Sequence, residues 1–138
     1  MLPAIEPWAA RLRTLRAMAL LLWARALITF APFRLWRRGL GQRMEGGSAV
    51  DAAQVRRLAA QVERAALRLP LAAKCLPRAM ALSWLLRWSN IPHRLVLAVR
   101  PPAQRGGADD LHAWVEVEGR IVLGDLPGPW LRLLDTGG

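Results

Sequence analysis

The spacing of the apolar residues changes once along this chain, near residue 90, and that change restricts the fold more than any other feature. Up to Trp88 hydrophobic residues recur at three- and four-residue steps, as on one side of a helix. From His93 onward they alternate, as on a strand. Helices followed by an antiparallel meander imply an α+β fold, with a helical N-terminal half and a small sheet behind it. The 138 residues suffice for one packed core, and 54% hydrophobic residues exclude a disordered chain.

Residues 5–38 read as helix with a break near Pro32, and Leu12, Leu15, Ala19, Leu22, Ala26 and Phe30 form its apolar stripe. The glycine-rich "GLGQRMEGGS" then interrupts the pattern. A second helix is expected from Ser48, with Ser48 as N-cap and Asp51 three residues on. Val55, Leu58, Val62, Ala65 and Leu69 give it one apolar side, and Pro70 limits it. In "KCLPRAMALSWLLRWSNIP", Pro77 suits a first helical turn, and Asn90 with Ile91-Pro92 supplies a stop. Leu76, Ala79, Met80, Leu82, Leu85 and Leu86 cover more than one side, so this helix should be central, with Cys75 at its N-terminus.

The strands expected are 93–100, 111–117 and 120–124, the last two joined by a two-residue turn at Glu118-Gly119. "PPAQRGGADD" reads as an exposed loop and the tail after Asp125 as irregular. The chain divides on this reading into a helical region, 1–44, a candidate for partner docking, and a core, 45–138, the two forming one compact unit. Most of the seven tryptophans fit a core role.

Net charge is +10, from nineteen arginines and one lysine, which favours acidic partners. No helix-turn-helix, zinc or RNA-binding pattern accompanies it, so no nucleic-acid partner is expected. The one cysteine forms no internal disulfide, and one cysteine with two scattered histidines makes no metal site; no metal or other cofactor is expected. The most apolar stretch, "AMALLLWARALITFAPF", is interrupted by Arg25, and its run from Ala17 to Ala24 falls far short of the ~20 residues that span a bilayer. A cytoplasmic protein without a membrane span is therefore expected.

The hairpin carries the chemistry. If Glu118 and Gly119 form the loop, Val117 faces Arg120 and, counting outward, His112 faces Asp125, with Cβ atoms about 5 Å apart. A carboxylate there would fix one imidazole nitrogen and leave the other free. A thiol at a helix N-terminus is favoured as thiolate by the helix dipole, and beside His112 it would complete a nucleophile–base–orienter chain for acyl transfer. His93 reads as structural or surface, Glu116 and Glu118 as solvated strand residues, Asp109 and Asp110 as loop charges. A buried, inert Cys75 is the competing reading.

"CLPRAMALSWLLRWSNIPHRLVLAVR" and "HAWVEVEGRIVLGD" together resemble the transglutaminase-like cysteine peptidases of lasso-peptide biosynthesis, over about residues 75–125. In that family a Cys opens a helix, an Ile-Pro-x-Arg-Leu strand follows, and a His-Ala-Trp-Val-Glu strand carries the base. The resemblance implies a transglutaminase-like or papain-like core, with Cys75 as nucleophile, His112 as general base and acid, and Asp125 orienting His112. It implies removal of the leader from a ribosomally made precursor peptide through a leader thioester, before a separate ATP-dependent lasso cyclase closes the ring. Because the first seventy residues lack the strands of a winged-helix recognition domain, a separate winged-helix leader-recognition protein is expected. Two alternatives stand beside this: acyl transfer to an amine, as in transglutaminases or arylamine acetyltransferases, and a non-catalytic basic module binding peptide or nucleic acid.

Overall fold

The computed structural model describes residues 6–36, 50–69, 75–104, 106, 111–126 and 128–136. Helix α1, Glu6–Phe30, ends where Pro32 cannot continue it, and a single further turn, α2, Phe33–Trp36, follows. Helix α3 is Ala52–Arg68. Asp51, not Ser48, is its N-cap: one carboxylate oxygen accepts from the backbone N–H of Ala53 (3.0 Å) and of Gln54 (3.3 Å). Ser48, Pro70 and the 107–110 part of the loop, with Asp109 and Asp110, lie outside the described residues.

Helix α4, Cys75–Trp88, is central as expected: Ala79, Met80, Ala81, Leu82, Leu85 and Leu86 are all buried. Asn90 ends it in the left-handed region (φ 56°). The Ile91 N–H donates to the Leu86 carbonyl and the Asn90 N–H to the Arg87 carbonyl, the paired bonds of a Schellman stop.

Four antiparallel strands, in order β3-β2-β1-β4, complete the fold: β1 Arg94–Val99, β2 Leu111–Val117, β3 Arg120–Leu123 and β4 Leu131–Thr136. Mixed helices and sheet match the α+β expectation. The tail is not irregular throughout, since β4 pairs with β1. The Glu118-Gly119 turn is present, with φ positive at both positions (51° and 77°), the conformation of a tight hairpin whose twist suits its strands.

One sheet face, with Leu95, Ala113, Val115, Val117 and Leu123, packs on α4, and the same apolar cluster continues through α3 to Ala17, Leu21 and Ala24 of α1. The opposite face carries a second, smaller cluster of Val96, Ala98 and Trp114, with Trp130 against it. The stripe expected to bury α1 does not: Leu12, Leu15, Leu22 and Phe30 are each more than half exposed, while Thr14, Ala17, Leu21 and Ala24 form its buried side. Both sides of α1 are apolar, so periodicity alone chose the wrong one. No described helix is long and apolar enough to cross a membrane.

Candidate active site

Cys75 opens α4 and is partly buried. Pro77 follows in the first turn, where its missing N–H breaks no hydrogen bond of the helix. The Cys75 Sγ lies 4.0 Å from the carbonyl oxygen of Leu111, the first residue of β2 and the one immediately before His112. The helix terminus and the strand that carries His112 therefore meet where β2 begins.

His112 is 5% exposed. Its side chain stands on the sheet face away from α4, with Trp114 and Trp130. The His112 ring is stacked on Trp130 (centroids 5.2 Å, planes 30° apart) and tilted against Trp114 (6.0 Å). Its Nε2 lies 2.5 Å from the carbonyl oxygen of Gly124. A carbonyl only accepts, so Nε2 carries the proton in this pairing and the neutral ring keeps its lone pair at Nδ1. That is the tautomer of a general base oriented from behind.

The expected pairing of His112 with Asp125 does not form, and the reason is a β-bulge. The turn starts the hairpin as counted, with Val117 opposite Arg120 and Glu116 opposite Ile121. Between Glu116 and Val115 the register then shifts by one, so that Val115 faces Leu123. One extra residue on β3 moves Asp125 out of line with His112. Asp125 is exposed and makes no hydrogen bond or ion pair among the described residues; the carbonyl of its neighbour, Gly124, holds the imidazole instead. Gly124 is required there, since its φ is +89° and a Cβ would meet the Ala113 carbonyl at 2.8 Å. Cys75 and His112 are likewise not hydrogen-bonded to each other.

Three contributors were not assigned from sequence. Trp130 donates from its indole N–H to the Leu126 carbonyl (3.2 Å) and has the Arg100 guanidinium over its ring, 4.4 Å from the centroid. Glu116 is not solvated: it is buried and accepts from Trp114 Nε1 and from Arg132, each at 2.7 Å. The signal for Glu116 was its two-residue offset from Trp114, which puts both on one face. Trp130 and Arg132 carried no signal without knowledge of β4. His93 is structural: it is buried, its Nε2 2.6 Å from Ser83 Oγ and its Nδ1 2.8 Å from the Ile91 carbonyl. Burial in the apolar interior lowers its pKa to about 4, with Arg87 adding to the effect and the bond to Ile91 opposing it.

No group of three or more His, Cys, Asp or Glu side chains capable of holding a metal occurs among the described residues. The arrangement offers a thiol at a helix N-terminus and, on the adjacent strand, an imidazole of defined tautomer. Over residues 17–133 the chain matches the family model described as the transglutaminase-like superfamily. Neither a curated protein nor a solved structure matches it.

Proposed function

The chain belongs to the transglutaminase-like superfamily, whose members generally carry out cysteine-protease or acyl-transfer chemistry, and from that premise we propose that it is a cysteine peptidase removing the leader from a ribosomally made lasso-peptide precursor. The observation that carries the proposal is the approach of the Cys75 thiol to the backbone of β2, one residue before a histidine whose Nε2 is already committed to a carbonyl. The extended resemblance at residues 75–125 supports reading that chemistry as leader removal.

In this reading His112, whose side chain stands on the sheet face away from α4 in this structure, must be brought to the thiol when the leader binds. Cys75 then passes its proton to His112 Nδ1 as its sulfur adds to the carbonyl carbon of the leader's last residue. The Cys75 N–H, at the helix N-terminus, is a donor suited to the oxyanion that forms. Collapse breaks the C–N bond, and the His112 imidazolium returns its proton to the departing amine, which becomes the new amino terminus of the core peptide. Water, deprotonated by His112, then cleaves the thioester and frees the leader as a carboxylate. The Gly124 carbonyl holds the ring, and Asp125, the third member the resemblance implies, is the neighbouring carboxylate available to balance the imidazolium. The partners proposed are the precursor's leader, a separate winged-helix leader-recognition protein and an ATP-dependent cyclase that consumes the freed amine, all in the cytoplasm.

The test is precursor cleavage followed by mass spectrometry. Cys75→Ala and His112→Ala should each abolish cleavage while the circular dichroism spectrum is retained. Asp125→Asn should reduce the rate by about tenfold, below the full loss expected of a sole orienting group. Two free peptides identify hydrolysis; a peptide–amine conjugate identifies acyl transfer and overturns the peptidase reading. Undiminished cleavage by Cys75→Ala overturns the nucleophile itself.

A further inference from the structure

Helix α1 has a buried side and an opposite side that nothing described covers. On the uncovered side Trp8, Leu12, Leu15, Leu22, Trp23 and Phe30 are all exposed, from 52% at Leu22 to 86% at Phe30. A two-sided apolar helix on a protein surface is half of an interface, because one apolar stripe suffices to hold a helix on a core.

The pattern on that side specifies the kind of partner. Residues 8, 12, 15, 19, 22, 26 and 30 follow one another at steps of four and three, the repeat that keeps a narrow seam facing another helix over about 33 Å. Ala19 and Ala26 lie on the midline between the larger Leu15, Leu22 and Phe30. They leave recesses of the sort that knobs from a facing helix fill, whereas a bilayer surface has no use for them. At 100° per residue, Arg11 and Arg16 fall on the two flanks of the seam. The Arg16 guanidinium also donates to Gln61 Oε1 of α3 (3.2 Å), which leaves its remaining N–H groups for a partner. Helix α1 carries four arginines and a single acidic residue, Glu6. Flanks of that sign repel a second copy of the same helix and attract glutamates at the corresponding edge positions of a partner.

We propose that the outer side of α1 is a docking seam for an acidic amphipathic helix of another protein. The proposal is independent of the peptidase reading, since α1 holds neither Cys75 nor His112. The probe is a synthetic helix with leucine at heptad positions a and d and glutamate at e and g, compared with its lysine counterpart. The full chain should bind the glutamate peptide about tenfold more tightly than the lysine peptide, with the difference shrinking as salt is added. Leu15→Glu with Leu22→Glu should remove binding, while Leu133→Glu, equally exposed but on β4, should not. Arg11→Glu with Arg16→Glu should reverse the preference, a result that loss of folding does not produce. Equal binding of the two peptides overturns the proposal. Binding only to phosphatidylglycerol-containing vesicles, or self-association abolished by the Leu15/Leu22 variant, also overturns it, in favour of a membrane or a second copy.

Discussion

The two histidines are set in opposite tautomers by backbone carbonyls. His93 donates from Nδ1 to the Ile91 carbonyl and accepts from the Ser83 hydroxyl at Nε2; His112 donates from Nε2 to the Gly124 carbonyl, which makes Nδ1 the lone-pair nitrogen of its neutral ring. The His93 lone pair is already taken by Ser83, whereas that of His112 is not directed at the Gly124 carbonyl, and Trp130 is the side chain positioned to preserve the His112 arrangement. The indole stacks on the imidazole and also has the Arg100 guanidinium over its ring. An aromatic pair of this kind contributes about 1 kcal/mol beyond burial, equivalent to roughly fivefold in rate if the ring's orientation depends on it. Trp130→Leu should therefore lower kcat for precursor cleavage about fivefold with KM little changed, and Trp130→Phe should recover most of the loss. Nitrogen-15 shifts provide a readout that general destabilisation does not mimic. The wild type should show one Nε2–H and one Nδ1–H histidine, and the leucine variant should mix the tautomers of His112 alone. An unchanged His112 spectrum would remove Trp130 from the site.

At the scale of elements, what could be read from the sequence follows a physical divide. Features set by one residue's backbone preference were readable: the Pro32 break, the Asn90 stop of α4 and the Glu118-Gly119 turn. So was the central position of α4, since apolar residues cover more than one of its sides. Features settled by competition between similar options were not. Helix α1 has two apolar sides and only packing decides between them; β4 is six residues between a Gly/Pro-rich stretch and the terminal glycines; and the bulge in β3 adds one residue without any compositional mark. That bulge matters most, because it exchanged Asp125 for the Gly124 carbonyl behind His112. Its weak point is testable. Gly124→Ala places a Cβ 2.8 Å from the Ala113 carbonyl and 3.1 Å from Trp114 Cβ, in a φ region where side chains are strained. It should cost about 3 kcal/mol in urea unfolding and reduce cleavage at the same time, because relief of the clash moves the very carbonyl that holds His112. A stable, fully active Gly124→Ala protein would show that this carbonyl does not orient the ring.

For the whole molecule, the pair Ser83 and His93 connects the helix bearing Cys75 to the start of the sheet, and it makes the stability of the entire fold depend on pH. The His93 pKa falls from 6.5 to about 4 chiefly because burial disfavours the charged ring. Between those values the unfolded chain binds a proton that the folded chain refuses, so unfolding becomes easier as pH falls. Above pH 6.5 His93 is neutral in both states and exacts no penalty. Descending toward pH 4, the loss attributable to this one group approaches the order of 3 kcal/mol, a substantial part of an ordinary domain's stability. Carboxylates titrate at the lower end of the same range and the +10 charge rises further, so the wild-type curve by itself does not isolate the histidine. A comparison does. His93→Gln keeps a polar group in the position but cannot titrate; it should be less stable than the wild type at pH 7.5 through imperfect hydrogen bonding to Ser83 and Ile91, and should lose less stability on going to pH 4.5. The two unfolding free energies should therefore converge with acidification. Parallel curves across that interval would mean that His93 is protonated in the fold without strain, and that the joint between α4 and β1 is held by something other than a neutral imidazole.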